Sequence, residues 1–305
     1  MQVTKNQNFF GIIVAFLVFL FFAHPTITEG ESKFAIFSSS EELKEETEDI
    51  LNSAYQRISR TLQDSLTQIT TVYIADTDEE FQSTIGTFFP DWGVGCAIPS
   101  RYLIIVKSPN HFKYGKSLKQ LLEHELAHIF LRAKIKQDNI PRWLDEGFAM
   151  MQSHEWTLGQ DVVVARAVVT NSIFPLSKIE KLNQFNQSQA NLAYTLSFLA
   201  ISYLFREYGE EGFMDLVNLL SRGGNWDEAF LRGTGSDYMS FQMEFYDYIK
   251  RKYQWISLLG DTFFFWLGLA FLIIMIYLFK KRRTKKILQR WEAEEKGQVN
   301  ERETH

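Results

Sequence analysis

The strongest constraint on this chain is an uncharged apolar run near its C-terminal end, residues 262–279, which reads TFFFWLGLAFLIIMIYLF. As a helix with a rise of about 1.5 Å per residue, the run would be about 27 Å long, close to the thickness of a bilayer's hydrocarbon core. The residues that follow are KKRRTKK, and such basic clusters stay on the cytoplasmic side of a membrane. The pattern predicts one transmembrane helix at 262–279 and a basic cytoplasmic tail at 280–305, with the chain before Asp261 outside.

A second apolar run lies near the N-terminus. Residues 9–23, FFGIIVAFLVFLFFA, follow a short polar start that contains Lys5, which is typical of a secretory signal. No A-x-A cleavage site follows, and only Ala23 and Gly30 are small residues at a plausible cut. Residues 1–30 therefore fit either a cleaved signal peptide or an uncleaved N-terminal anchor. Both predict a protein of the cell membrane with an extracytoplasmic domain at 31–255.

The charge distribution limits the possible binding partners, and the cysteine count limits the possible disulfides. The tail 280–305 holds nine Lys or Arg and five Glu, so it contributes +4 to the net charge of −5 and the rest of the chain contributes −9. An acidic outer domain argues against a nucleic-acid partner. Membrane lipid is the partner expected for the C-terminal helix and its basic flank. Cys96 is the only cysteine, which excludes an intrachain disulfide, and we expect it to be a small buried side chain.

The pattern between the apolar ends predicts an α+β domain. Apolar residues recur at spacings of three and four over residues 38–66, which indicates an N-terminal amphipathic helix. A small sheet is expected from three short runs rich in β-branched and aromatic residues, at 69–75, 93–98 and 101–108. A helical C-terminal part follows, with helices predicted at 118–133, 143–151, 189–207, 210–220, 226–231 and 236–253.

One of these helices carries two histidines, in the stretch LLEHELAHIFLRA at 121–133. On a helix His124 and His128 are about 40° apart and separated by about 6 Å along the axis, so both imidazoles can reach one ion. Glu125 is rotated by about 100° from His124 and would lie beside that ion rather than bind it. The stretch is either a metal site or a core helix that happens to contain histidines, and the rest of the chain must decide.

A third ligand is available downstream in PRWLDEGFAMM, where Pro141 is a helix-start signal and Glu146 lies eighteen positions after His128. Apolar neighbours such as Phe130 and Phe148 make both helices partly buried. Buried ionisable groups need partners, and a metal ion would provide one. Two histidines and a glutamate with an open fourth position are the ligands expected of a catalytic zinc site.

HELAH followed by WLDEGFA resembles the gluzincin metallopeptidases, closest to the peptidase MA-like branch and the aminopeptidase N-type enzymes, whose second motif is W-L-N-E-G-F-A. The resemblance implies a zincin-like fold that binds Zn²⁺ through His124, His128 and Glu146, with Glu125 as the general base. It also implies a tyrosine on a later helix that stabilises the oxyanion. In LAYTLSFLAISYLFREYG that residue is Tyr194, although an aromatic residue of a core helix is an equal reading, and Tyr203 and Tyr208 are the alternatives.

The chain departs from those families in several places. The seventeen residues between His128 and Glu146 are one fewer than in the aminopeptidases. Their G-A-M-E-N motif, whose glutamate binds the substrate's amino terminus, is replaced by GVGCAIP at 93–99, so we expect an endopeptidase rather than an aminopeptidase. Met150 occupies the position of a thermolysin-like orienting aspartate. Asp145 could orient a histidine instead, but a solvated side chain is the favoured reading.

These patterns together predict a membrane-anchored extracytoplasmic zinc metallopeptidase that hydrolyses peptide bonds in a peptide or protein substrate. Two further histidines of the outer domain, His111 and His154, are read as ordinary surface or loop residues. The alternative is a catalytically silent metal-binding scaffold or sensor domain that binds a partner through the same fold. The intact Glu125 argues against that alternative, because a structural metal site needs no base.

Overall fold

A computed structural model describes residues 32–86, 93–111, 116–136 and 140–303, except the side chains of 111, 255–264 and 292–303. The predicted signal peptide or anchor at 1–30 lies outside these residues. Contacts divide the chain into two units, Met1–Ile249 and Lys250–His305.

The first unit contains a mixed four-stranded sheet in the order β1-β2-β4-β3. Its strands are β1 (Phe34–Phe37), β2 (Thr70–Ala75), β3 (Gly95–Ile98) and β4 (Leu103–Lys107). β1, β2 and β4 run parallel, whereas β3 is antiparallel to β4 with Cys96 opposite Ile105. β3 therefore forms one edge of the sheet.

The helices of the first unit largely follow the predicted pattern. They are α1 (Glu41–Leu62), α2 (Asp78–Ile85), α3 (Leu118–Ile135), α4 (Arg142–Gln152), α5 (Leu158–Val169), α6 (Gln187–Ser221) and α7 (Trp226–Thr234), and α8 (Tyr238–Glu303) begins there. A 3₁₀ helix, Leu176–Gln184, precedes α6. The two helices predicted at 189–207 and 210–220 meet within α6, where Gly209 has φ 70° and interrupts the helical backbone. The break falls between the two predicted helices, at a residue type that adopts positive φ readily.

The predicted set of elements omits three that the structure contains, and two of them, β1 and α2, change the order of helix, sheet and helices. β1 precedes α1 and was missed, because its four residues show no alternation and form a strand by pairing with β2. α2 was missed because it buries only Phe81, so no periodicity arises, although Thr77 caps its start and Gly86 ends it. α5 was missed because its valine-rich sequence does not separate an apolar face from a polar one.

Close approaches fix the helices that carry the site. Gly147 of α4 packs directly on α6, where an added Cβ would lie 2.3 Å from the carbonyl oxygen of Ser197. Gly95 of β3 packs on α3, where an added Cβ would lie 2.6 Å from Leu121. Trp143 of α4 stacks against Phe241 of α8 with ring centroids 5.9 Å apart. α4 therefore lies in the middle of the helical part of this unit.

The second unit is described from α8 alone. Its residues 265–279 are uncharged and exposed. Within the side chains that the structure describes, no helix is both long and apolar enough to cross a membrane. The transmembrane helix predicted at 262–279 includes three residues, 262–264, whose side chains lie outside the described part, and it stays a prediction.

Candidate metal centre

The two motif histidines lie on one face of α3. Ser117 and Gln120 form a capping box at the start of this helix, in which each side chain bonds the other's backbone amide. His124 is buried and His128 is largely buried, and their rings meet edge to face with centroids 4.9 Å apart. This face of α3 is therefore polar and enclosed, which is a costly arrangement without matching partners.

Glu146 supplies the partner from α4. Its Oε2 atom lies 3.6 Å from Nε2 of His124 and 3.6 Å from Nε2 of His128. One ligand atom from each of the three residues lies within 4.8 Å of the others. The residues predicted as a ligand set are thus brought together, with the same nitrogen of both rings directed at one carboxylate oxygen.

The other nitrogen of each histidine contacts a second carboxylate. Nδ1 of His128 is 2.8 Å from Oδ1 of Asp145, and Nδ1 of His124 is 2.9 Å from Oε1 of Glu155. The favoured reading of Asp145 as a solvated side chain is wrong, since this residue is buried. Our sequence reasoning missed Glu155 altogether. Carboxylates in these positions orient a ligating imidazole and fix its tautomer.

These outer carboxylates are held in turn by cations. Nε and Nη2 of Arg132 donate to Oδ2 of Asp145 at 3.0 and 2.8 Å. Nζ of Lys116 lies 2.7 Å from Oε2 of Glu155, whose Oε1 accepts the Ser153 hydroxyl at 2.9 Å. Each histidine is therefore the inner end of a cation–carboxylate–imidazole chain, with the carboxylate in the middle.

A further cation orients the third predicted ligand. Nε of Arg142 donates to Oε1 of Glu146 at 3.3 Å, which leaves Oε2 for the histidines. The backbone amide of Arg142 donates to Oε1 of Glu180 at 2.8 Å. Glu180 belongs to the 3₁₀ helix, so this bond ties the first residue of α4 to a separate segment.

The charged groups of the site shift one another's pKa values. Burial opposes protonation of His124, but the Glu155 and Glu146 carboxylates outweigh burial and raise its pKa to about 10. Burial also works against the charged form of Asp145, yet His128 and Arg132 lower its pKa to about 2. The pKa of Glu146 is lowered as well, because its contact with His124 and the charge of His128 outweigh burial. The site thus concentrates carboxylates that favour a positive charge between the two rings.

Glu125 lies beside this cluster without joining it. Its buried side chain approaches the edge strand, where a Cβ added at Gly95 would be 2.8 Å from Oε1. Burial raises the pKa of Glu125, and the charges of His124 and His128 only partly offset the increase. A carboxylate with a raised pKa next to a metal-ligand cluster suits proton transfer better than ligation.

Tyr194 of α6 lines the same cleft as His124 and Glu125. Burial raises its pKa well above the ordinary value, and the Glu146 carboxylate adds to the increase, so the phenol remains a hydrogen-bond donor. The two alternatives lie elsewhere: Tyr203 and Tyr208 pack against Phe241 of α8. Of the three candidate tyrosines, the structure brings only Tyr194 to the described site.

Two cavities meet at this cluster. The larger, about 870 Å³, is lined by β3 from Gly95 to Ala97, by Pro99 and by the basic residues Arg132 and Lys136. The smaller, about 400 Å³, extends the other way past Lys116 and the start of α5. Both cavities are lined by Gly95, His124, Glu125, Arg142 and Tyr194. Among the described residues, the cleft thus extends to both sides of the histidines.

The remaining predictions for individual residues have different outcomes. His154 is exposed, as expected, and its carbonyl oxygen accepts a bond from Gln120. The side chain of His111 lies outside the described residues. Cys96 is only partly buried and lines the larger cavity, so the expectation of a buried core cysteine is wrong. Burial raises its pKa to about 12, with a contribution from Glu125, and the thiol stays protonated.

The residues present fit a metal ion of the zinc type. Two imidazole nitrogens and one carboxylate oxygen converge, and the outer ring nitrogens already contact carboxylates, which leaves Nε2 of each ring for a metal. Among the described residues, no other group of three or more His, Cys, Asp or Glu side chains has this geometry.

The chain matches the family model of the Peptidase MA superfamily over residues 52–251, which is more than half of its length. The chain therefore belongs to the Peptidase MA superfamily and carries a metallopeptidase-type domain. Its mostly helical α+β architecture with a small sheet is consistent with a zincin-like fold. A search of curated proteins found no match.

Proposed function

We propose that this protein is a membrane-tethered, extracytoplasmic zinc metallopeptidase, an endopeptidase that hydrolyses peptide or protein substrates. The observation that carries the proposal is the convergence of Nε2 of His124 and of His128 on Oε2 of Glu146. Glu125, a carboxylate that belongs to neither outer pair, lines the cleft beside them. A purely structural metal site would not need this additional buried acid.

His124, His128 and Glu146 would hold the ion, and the mixed nitrogen and oxygen donors favour zinc. When bound, zinc supplies Lewis acidity, which activates water and polarises the scissile carbonyl. Glu125 accepts a proton from the attacking water as the water oxygen forms its bond to the carbonyl carbon. The same carboxyl then returns the proton to the leaving nitrogen as the carbon–nitrogen bond breaks.

Tyr194 donates its phenolic hydrogen to the carbonyl oxygen as negative charge develops there. Its raised pKa supports this role, because the group remains protonated at any physiological pH. Arg142 keeps Glu146 oriented and adds positive charge at the junction of the two cavities.

The shape of the cleft supports an endopeptidase. A cleft that the described residues leave open on both sides of the histidines can take a chain that continues in both directions. β3 is an edge strand along this cleft and carries no acidic residue that would bind a free amino terminus. A substrate in extended conformation can add to such an edge by main-chain hydrogen bonds.

The membrane tether and the orientation rest on the sequence. An uncharged run at 262–279 followed by KKRRTKK would place the tail inside and the metallopeptidase domain outside the cell. In a Cys96→Ser background, a cysteine introduced near His305 should resist a membrane-impermeant thiol reagent on intact cells. Labelling there without permeabilisation would reverse the proposed topology.

The decisive experiment compares wild type with Glu125→Gln. The substitution keeps the shape of the side chain and removes the proton acceptor, so zinc content should stay near one ion per chain. Hydrolysis of an internally quenched peptide library should fall at least about a hundredfold. Glu211→Gln, at an exposed position of α6, is the matched control and should behave as wild type. A zinc-loaded wild type that cleaves nothing, or an equally active Glu125→Gln, favours the scaffold alternative.

A further inference from the structure

The smaller of the two cavities has an unusual amide-bearing wall. Gln187, Asn191 and Tyr194 are spaced at i, i+4 and i+7 along α6, which places them on one face of the helix. All three line this cavity, together with Asn183 from the 3₁₀ helix. Helix α6 thus carries Tyr194 at the candidate metal site and side-chain amides along the smaller cavity.

These amides differ from the other glutamines of the same cavity. Gln120 and Gln160 accept bonds from the backbone amides of Ser117 and Thr157 and serve as helix caps. The side chains of Asn183, Gln187 and Asn191 make no such bond to another described residue and are exposed to the cleft. Each amide offers two donor hydrogens and an acceptor oxygen.

The direction of the edge strand β3 predicts which part of a substrate would reach the amide side chains of the smaller cavity. Gly93 and Val94 line the smaller cavity, while Ala97 and Pro99 line the larger one, so the chain passes from one to the other through β3. Antiparallel pairing is the more stable and more common way to add a strand. A substrate antiparallel to β3 would place the residues that follow its scissile bond beside Gly93 and Val94, in the smaller cavity.

We propose that Gln187 and Asn191, assisted by Asn183, form a hydrogen-bonding subsite that selects uncharged polar side chains just after the scissile bond. The proposal rests on the proposed peptidase function. Apolar side chains would cover the amides and leave them unpaired, which costs binding. Charged side chains gain less, since the cations of this cavity, Lys116 and Arg142, already pair with Glu155 and Glu146. The remaining acid that lines it, Glu125, is the proposed base.

The first measurement is a cleavage profile of wild-type, zinc-loaded full-length protein against a mixed peptide library. Asn, Gln, Ser and Thr should be enriched at the first two positions after the cut. In Gln187→Met/Asn191→Leu, which keeps the volumes and removes the amides, this enrichment should disappear while cleavage continues. Gln184→Met, at an exposed position outside the cavity, is the matched control and should keep the wild-type profile.

The second measurement reads binding without turnover. In a Glu125→Gln background, fluorescence anisotropy gives the Kd of a peptide cleaved by wild type, with Asn-Ser after the cut. Gln187→Met and Asn191→Leu should each raise that Kd about three- to tenfold, whereas a Leu-Val version of the peptide should bind all variants alike. Because both side chains are exposed, circular dichroism and Tm should match the parent.

The outcomes separate the two proposals. If wild type cleaves no peptide, the proposed function fails and the subsite fails with it. If wild type cleaves peptides but shows no polar preference after the cut, only the subsite is wrong. The same conclusion follows if the Asn-Ser peptide shows no binding in the Glu125→Gln background, or binds the amide variants as tightly as the parent.

Discussion

Replacing Asp145 by asparagine should weaken metal binding without touching a metal ligand. In the wild type, Oδ1 of Asp145 faces Nδ1 of His128 at 2.8 Å, and Oδ2 accepts two bonds from Arg132. An asparagine has one oxygen for these two sides. Because Arg132 offers two donors and no acceptor, the amide oxygen should turn toward Arg132 and the NH2 group toward His128.

That rotation reverses the tautomer of His128. An NH2 group facing Nδ1 requires Nδ1 to act as an acceptor, so the ring proton moves to Nε2, the atom that should bind the metal. Loss of such an outer carboxylate costs about ten- to a hundredfold in metal affinity, or about 1.4–2.7 kcal/mol. Asp145→Asn should therefore bind zinc that much more weakly and have less activity at limiting zinc, while saturating zinc restores most of the activity.

The assay is a competition titration of zinc against a chromophoric chelator, with the histidine tautomer read from ¹⁵N chemical shifts of the metal-free protein. Asp215→Asn, at an exposed position of α6, is the matched control and should bind zinc as wild type does. A zinc affinity of Asp145→Asn within about threefold of wild type would refute the reasoning, provided that His128→Ala loses its zinc in the same titration.

Four further predictions concern Glu155, Tyr194, Gly147 and the metal itself. Glu155→Gln should lower zinc affinity about tenfold or more by releasing His124, again measured by competition titration. Tyr194→Phe should keep the zinc content and reduce kcat by about ten- to a thousandfold, measured on the quenched peptide library. Gly147→Ala should destabilise the domain by about 1–3 kcal/mol through overpacking against α6, seen as a lower Tm, whereas Gly159→Ala, which meets only Thr157 at 3.5 Å, should not. Chelation by EDTA should lower the Tm of wild type, and added zinc should restore it.

The predicted ligands follow from local rules, which is why the sequence could supply them. A spacing of four residues on a helix places two side chains on one face, and His124 and His128 obey it. Glu146 was assigned by its motif, and the structure places it opposite both rings. A short-range pattern is sufficient here because each helix brings its own part of the site as a rigid piece.

The outer carboxylates could not be assigned in the same way. Glu155 reaches His124 because the chain reverses after α4, where His154 adopts a positive φ of 54° and the amide of Glu155 bonds the carbonyl of Met150. No periodicity marks such a turn in advance, and its one sequence signal is an acid shortly after a helix end. Asp145 was underrated for a different reason: its burial depends on α3 and α4 packing together, which composition alone does not reveal.

α4 shows how a short motif encodes more than its ligand. Its first residue, Arg142, binds the ligand oxygen that faces away from the histidines, and Trp143 anchors the helix in an aromatic cluster. Asp145 holds one imidazole while its neighbour Glu146 meets both. Gly147 then permits contact with the α6 backbone that any side chain would prevent.

These contacts lie in different directions around one helical turn, so none can be satisfied by a neighbouring position. Shifting the sequence by one residue would rotate every side chain by about 100°. It would exchange the acid that holds a histidine for the acid that meets both, and drive a side chain into the α6 backbone. The stretch RWLDEG is therefore constrained as a unit in this chain by orientation, packing and charge together. The metal site depends on how α4 packs against α6. Variants that displace α4, such as Gly147→Ala, should therefore lose zinc affinity in proportion to the stability they lose.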